Sequence, residues 1–208
     1  MSSDRIALIS DIHGNLAGLN AVLRDAQEQC CTRIVCLGDL VEGGEHNEAV
    51  VRLIRDRGIT CVQGNHDENN ALVLADDVTK FLSRLPGSLT EGDVHYTHIS
   101  PRRRQRKIDS EVEAWNVFDE CLHRIIFIGH VHVPLIFGAR SSMATSATHH
   151  QVESAKPFRL AADDRYVICV GAVGYGRDGI RKPRYGIWDV DAATIEIRAM
   201  DAPVLAIG

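Results

Sequence analysis

The sequence predicts an α/β fold: two facing mixed β-sheets with helices outside, a four-layer αββα sandwich formed as one domain over residues 1–208. Three observations carry this. The first third alternates short apolar runs with helical spacing, the βαβαβ rhythm of a parallel sheet with right-handed crossovers. The last third is rich in strand patterns separated by turn residues. No internal repeat and no linker-like stretch divides the chain.

The elements follow in order. Ile6 to Ile9 is a short apolar run, read as a buried strand. Leu16, Leu19, Leu23 and Ala26 recur at helical spacing, so Asn15 to Gln29 reads as a helix. Ile34 to Leu37 is a second buried strand. Ala49, Val50, Leu53 and Ile54 mark a second helix, ended by Gly58, and Ile59 to Val62 is a third strand. Asp77 to Leu85 reads as helical up to Pro86-Gly87, and Val94 to His98 as a strand. Ser110 to Leu122 reads as a helix with Val112, Trp115, Phe118 and Leu122 along its apolar side. Ile125–Ile128, Pro134–Phe137, Tyr166–Val170, Tyr185–Val190 and Thr194–Arg198 read as strands. Asp191-Ala192-Ala193 is a hairpin turn. Ser141 to Ala155, small and polar without a period, reads as a loop.

Composition narrows the function classes. Hydrophobic residues make up 45% and charged residues 25%, which excludes disordered and collagen-like chains. A net charge of -5 gives no global attraction for nucleic acid or anionic membrane. Any pull on phosphate therefore comes from a local site or from bound metal. The six cysteines form no C-x-x-C pair, and several lie in apolar runs, where Cys packs as a small hydrophobe. Met1-Ser2-Ser3-Asp4-Arg5 lacks the plan of a signal peptide, and no apolar run approaches membrane-spanning length. A cytoplasmic location is the expectation.

Chemistry concentrates in five segments: Ser10-Asp11-Ile12-His13-Gly14-Asn15, Gly38-Asp39-Leu40-Val41, Gly64-Asn65-His66-Asp67-Glu68, Thr97-His98 and Gly129-His130-Val131-His132. Each follows a predicted strand, and ligands of parallel sheets bind beyond the carboxyl ends of the strands. Asp11 and His13 stand two apart, as do His130 and His132, and in extended backbone such residues point the same way. Glycine precedes Asp39, Asn65 and His130, where it permits close approach. One such segment alone would read as a helix cap or an exposed imidazole. Five at successive strand ends point to a metal site.

In this order Asp-x-His, Gly-Asp, Gly-Asn-His-Asp, a lone His after a strand, and Gly-His-x-His resemble the calcineurin-like metallophosphoesterase superfamily. The resemblance covers almost the whole chain. It is greatest to the small single-domain bacterial and archaeal phosphodiesterases, whose motifs are matched by Ser10 to Asn15, His98-x-Ser100-Pro101-Arg102 and Gly174-x-x-Arg177-Asp178-Gly179. It implies that Asp11, His13 and His132 bind one divalent metal and Asn65, His98 and His130 a second, with Asp39 bridging. It places His66 near the leaving group, with Asp67 or Asp39 to orient it. The chain departs from phosphoprotein phosphatases, which carry Gly-Asp-x-x-Asp-Arg-Gly where this chain has Gly38-Asp39-Leu40-Val41-Glu42-Gly43-Gly44. The missing arginine weakens a protein-phosphatase assignment.

What the resemblance implies is a metal-dependent phosphodiesterase acting on a small or nucleotide-like phosphoester. Two divalent ions against Asp11, Asp39 and a bridging hydroxide leave a centre of about +1, suited to draw in phosphate and to attack phosphorus in line. The mixed imidazole, carboxylate and amide set accepts Mn, Fe, Co, Ni or Zn and does not choose among them; Mn is the expectation, with Fe, Ni, Co or Zn as alternatives. The competing enzyme reading is a phosphomonoesterase, either a protein serine/threonine phosphatase or a dinucleoside polyphosphate hydrolase. The non-enzyme reading is a scaffold of the same fold, against which the full donor set and His66 argue. Arg102, opening the basic run to Lys107, and Arg177 are the substrate-contact candidates. A membrane partner is excluded, nucleic acid is disfavoured, and a homo-oligomer stays open. His46, His95 and His123 are assigned local structural roles, and His149 and His150 an exposed loop.

Overall fold

The computed structural model describes residues 4–101, 106–140 and 146–206. Strands β1 (Arg5–Ile9), β2 (Arg33–Cys36) and β3 (Thr60–Cys61) run parallel in a first sheet. Next to β1 come the antiparallel strands β11 (Arg184–Asp189), β12 (Thr194–Ala199) and β9 (Phe158–Arg159), giving the order β3-β2-β1-β11-β12-β9. In the second sheet β5 (Val94–Thr97), β6 (Ile125–Ile128) and β10 (Asp164–Val170) are parallel. The antiparallel strands β4 (Ser88–Glu91), β7 (Pro134–Arg140) and β8 (Thr148–His150) complete the order β4-β5-β6-β10-β7-β8.

The period-2 alternation of a strand explains the layering. Ile6 and Leu8 of β1 face inward with Val35 and meet Tyr96, Phe127, Ile168 and Val170 of the other sheet. Ala7 and Ile9 face outward, against helices α1 (Leu16–Glu28), α2 (Asn47–Asp56) and α4 (Asp76–Leu82), which present Leu19, Val22, Leu23, Val50, Ile54 and Val78. Strands buried on both faces read as unbroken apolar runs, as β1 and β6 do. The α1 helix starts where the Asn15 side chain accepts from the Gly18 amide at 3.0 Å.

Helix α5 (Glu111–Glu120) covers the outside of the second sheet, but not with the expected face. Val112 and Leu122 are 68% and 88% exposed, while Ala114, Val117 and Phe118 pack on Ile126, Ile128, Val167 and Cys169. The buried residues keep helical spacing and include the expected Phe118; Val112 lies on another side, and Leu122 lies beyond the helix, which ends at Glu120. The 141–155 loop also needs correction. Residues 141–145 lie outside the described residues, but Thr148–His150 pair with β7, and the imidazoles of His149 and His150 pack on Phe137 and Phe158. The short strands β4 and β9 and the one-turn helix α3 (Asn65–Glu68) carry too few residues for a periodic signal. Among the described residues no helix is long and apolar enough to cross a membrane.

One charged cluster ties a helix to the first sheet. Arg198 of β12 grips the Asp25 carboxylate of α1 with Nε at 2.6 Å and a second guanidinium nitrogen at 3.0 Å, and the Tyr185 hydroxyl donates to the same group. Burial works to raise the Asp25 pKa, but these hydrogen bonds outweigh it and hold the carboxyl below its ordinary value. A depressed folded-state pKa means stability that is present at neutral pH and lost as pH falls through that value. Asp25→Asn is therefore expected to cost about 1.5–3 kcal/mol at pH 7, the worth of charge-assisted hydrogen bonds. The gap in denaturant midpoint between variant and wild type should close below about pH 3–4. A gap unchanged across that range would show that the charge of Asp25 contributes nothing.

Candidate metal centre

Every chemistry-bearing segment leaves the carboxyl end of a parallel strand: Asp11 and His13 after β1, Asp39 after β2, Asn65 after β3, His98 after β5, and His130 and His132 after β6. The backbone there is not extended. Asp11, His13, Asp39, His130 and His132 all have positive φ, between 51° and 68°. This left-handed conformation is uncommon outside glycine and costs of order 1–3 kcal/mol per residue. The i/i+2 pairs thus converge through kinks rather than along an extended strand. Backbone bonds hold the kinks: the amides of Asp11, Ile12 and His13 reach the carbonyls of Gly38 and Asp39 at 2.8–3.0 Å. The Asp11 carboxylate also accepts from the His130 amide at 3.0 Å, linking the two sheets. A Cβ on Gly64 would sit 2.1 Å from Asp39 Oδ1, and one on Gly129 2.1 Å from Ser10 Oγ, so neither position admits a side chain.

Seven side chains meet in this space. Asp11, His13 and His132 form one cluster, and Asp39, His98 and His130 another; within each, donor atoms lie within 4.8 Å of one another. Asn65 Oδ1 joins the second cluster, 2.9 Å from His130 Nδ1 and 3.2 Å from His98 Nε2. Asp39 stands between the two, with Oδ2 3.0 Å from His98 Nε2 and 3.7 Å from His13 Nε2.

The donor chemistry fits divalent cations. His13 Nδ1 lies 2.8 Å from the Glu42 carbonyl and His132 Nδ1 2.9 Å from the Tyr175 carbonyl, so each must carry its proton on that nitrogen. Their Nε2 atoms then face each other at 3.3 Å, with Asp11 Oδ1 3.1 Å from His132 Nε2, a set that a proton on one ring satisfies and that a divalent cation would satisfy in its place. His98 Nδ1 likewise donates to the Leu37 carbonyl at 2.6 Å. Burial opposes charge on Asp11 and Asp39, but the imidazoles around them outweigh it and hold both carboxyls below the usual range. Burial pulls the His98 pKa down, yet Asp39 and Asp11 prevail and lift it to about 9. His130, buried beside His98, is pushed down to about 4. The second cluster thus holds a proton next to Asp39, where a cation would replace it.

Residues 5–192 match the model of the calcineurin-like phosphoesterase superfamily domain. The chain belongs to that superfamily. Its members are metal-dependent phosphoester hydrolases, and the two Asp/His clusters are suited to the metal ions this implies. The chain is 32% identical to the uncharacterised protein MJ0912 of Methanocaldococcus jannaschii, over 95% of this chain and 87% of that one. A metallophosphoesterase from Sphaerobacter thermophilus superposes with a TM-score of 0.83 at 28% identity, covering 97% of this chain and 89% of that one. An archaeal phosphodiesterase shares the fold at a TM-score of 0.55 and 14% identity, covering 94% and 99% of the two chains.

Around this calcineurin-like centre the structure places further groups. The His66 amide donates to Asp39 Oδ1 at 2.9 Å, and its Nε2 lies 4.0 Å from Asp39 Oδ2, facing the clusters. The partner of its Nδ1 is the Glu42 carboxylate. Asp67, expected as an alternative orienter, is instead buried and accepts from the amides of Asp39, Leu40 and Gly64 at 2.8–2.9 Å. It clamps two loops and does not turn His66. Burial, reinforced by Asp39, raises its pKa to about 6. The sequence held a signal for Glu42, since it stands at the second acidic position of the Gly-Asp-x-x-Asp pattern. Arg177 is exposed and donates to the His130 carbonyl at 3.2 Å, at the rim of the centre; Arg102 lies outside the described residues. Sequence reasoning also missed Arg184, which is buried, ion-paired to Asp178 and bonded to the His132 carbonyl at 3.2 Å. Of the other histidines, His46 precedes α2 without a side-chain cap bond, and His95 stacks on His123 with ring centroids 5.0 Å apart, a local structural contact.

Proposed function

We propose that the chain is a metal-dependent phosphodiesterase in which Asp11, His13 and His132 hold one divalent ion and Asn65, His98 and His130 the other, with Asp39 shared. The observation that carries the reading is the pair of Nε2 atoms 3.3 Å apart on His13 and His132, each ring fixed by a carbonyl behind it. When bound, two such ions supply Lewis acidity and bring the pKa of water to near neutral. The donor set accepts Mn, Fe, Ni, Co or Zn, and Mn is the ion proposed. The charge balance of the site, about +1 with two divalent ions, two carboxylates and a hydroxide, suits it to draw in phosphate; the choice of a diester rests on the resemblance to the small phosphodiesterases. In this reading Arg177, at the rim, steadies a phosphate oxygen, and His66 Nε2 gives a proton to the leaving group, with Glu42 holding the ring. The displacement at phosphorus is proposed to be in line.

The test compares bis-p-nitrophenyl phosphate with p-nitrophenyl phosphate across a panel of divalent metals. The diester should be preferred, activity should vanish on chelation, and Mn or a neighbouring ion should restore it. Full activity after dialysis in excess chelator would sink the mechanism. Preference for the monoester would move the assignment to a phosphomonoesterase.

A further inference from the structure

A cleft of about 210 Å³ opens directly beside the first cluster, between the loop 174–181 and the segment 203–206. One wall is Tyr175. Its ring centroid lies 4.5 Å from that of His132 and 5.4 Å from that of His13. Its carbonyl accepts from His132 Nδ1 at 2.9 Å, so the ring keeps a fixed position relative to the centre. The other walls are apolar: Ile180, which is 50% exposed, with Val204 and Leu205. The segment carrying Leu205 is tied to the same loops. The Leu205 amide donates to the Gly174 carbonyl and Asn15 Nδ2 to the Pro203 carbonyl, both at 3.0 Å. Leu205 also lies close against Gly43 and Gly44, the backbone beside His13. Two cations border the cleft: Arg181 lines it, and the Arg177 guanidinium stands 5.8 Å from the Tyr175 ring centroid. The ion pair between Arg184 and Asp178 braces the loop from behind.

The cleft is short, bounded by Tyr175 on one side and apolar on the other, with Arg181 in its lining and the Arg177 guanidinium over the Tyr175 ring. It shares a wall with the phosphate-binding centre. A long acyl chain would outrun it and would gain nothing from the guanidinium groups. A planar heteroaromatic ring joined to phosphate through a short linker meets every feature, because any base can stack on a tyrosine face. We infer that this cleft is the subsite for the base of a nucleotide-like phosphodiester, with Tyr175, Ile180 and Leu205 as specificity-determining residues. The inference rests on the phosphodiesterase reading of the neighbouring centre and names the group its substrate carries.

Two esters with one leaving group test it: thymidine 5′-(p-nitrophenyl phosphate) and methyl p-nitrophenyl phosphate. The wild type should favour the thymidine ester in kcat/KM by roughly tenfold or more, the usual worth of one stacked base. In Tyr175→Leu, Leu205→Ala and Ile180→Ala the ratio should fall toward one, mainly through KM, and Tyr175→Phe should retain it. Ile180, half-exposed, provides a variant whose folding is not at risk. Equal losses on both esters in all three variants, or no preference in the wild type, would overturn the subsite. A second arm needs no turnover: calorimetry of AMP against ribose 5-phosphate on the metal-loaded protein. AMP should bind about tenfold more tightly, and Ile180→Ala should narrow the gap; equal binding overturns the subsite. If neither ester is hydrolysed while AMP still binds better in a manner sensitive to Ile180, the phosphodiesterase reading fails and the base subsite stands.

Discussion

Asp39→Asn is expected to abolish metal loading at both clusters and to lower turnover by about 10³-fold or more, the scale lost when water is no longer activated at neutral pH. Asp39 has contacts in both directions, 3.0 Å to His98 Nε2 and 3.7 Å to His13 Nε2, closer to the far cluster than Asp11, whose Oδ1 lies 4.0 Å from His98 Nε2. Its Oδ1 is already engaged by the His66 amide. Asparagine keeps the shape and can keep that bond, so the loop should stay in place. What it removes is one negative charge from a buried space that must bring two cations together. Removal of a donor from one cluster, as in His13→Ala or Asn65→Ala, leaves the other cluster's donors and the shared carboxylate intact. Such variants should retain one ion and lose less activity. Metal content by mass spectrometry after gel filtration, read beside kcat, separates the cases. A wild-type metal content in Asp39→Asn would contradict the shared role.

The donor set was legible because it obeys a simple rule. Each candidate is a polar residue placed where an apolar, doubly buried strand ends, and the strands themselves are unbroken apolar runs such as Ile6 to Ile9 and Ile125 to Ile128. The way the donors converge was not legible. The extended reading of Asp11-x-His13 brings the two side chains to one place through the wrong geometry, since both residues turn left-handed. Nothing in the residue types distinguishes a kink from a strand end, because Asp and His tolerate either. The face and end of α5 were misread because exposed Val112, and Leu122 beyond its last turn, carry the same apolar signal as buried residues. A lone exposed aliphatic residue is ordinary on a protein surface, so periodicity overcounts it. Glu42 was visible as a departure from a motif, but its role as the partner of His66 depends on a contact across 24 residues. Tyr175 stood inside a recognised glycine motif and drew no attention. Its importance comes from the rings it touches, which spacing alone does not reveal.

His66→Gln should separate binding from chemistry. Its imidazole belongs to neither donor cluster, and its amide bond to Asp39 Oδ1 belongs to the backbone, so the substitution should leave both metal sites loaded. Glutamine can also still meet Glu42. What is lost is a group able to hand over a proton near Asp39. For an alkyl or nucleoside leaving group the loss in kcat should be about 10²–10⁴-fold, the usual worth of a positioned general acid. For p-nitrophenolate, which departs without a proton, the loss should shrink to a few-fold. Glu42→Gln should show the same dependence on leaving group in weaker form, because it changes the group that holds the ring in place but not the ring itself. The comparison is made at saturating metal, with metal content measured in the same samples. A purely structural His66 would lose metal and slow every substrate alike. An equal fold-loss for both leaving-group classes, with both sites loaded, would remove His66 from the role of acid and leave the proton to come from solvent.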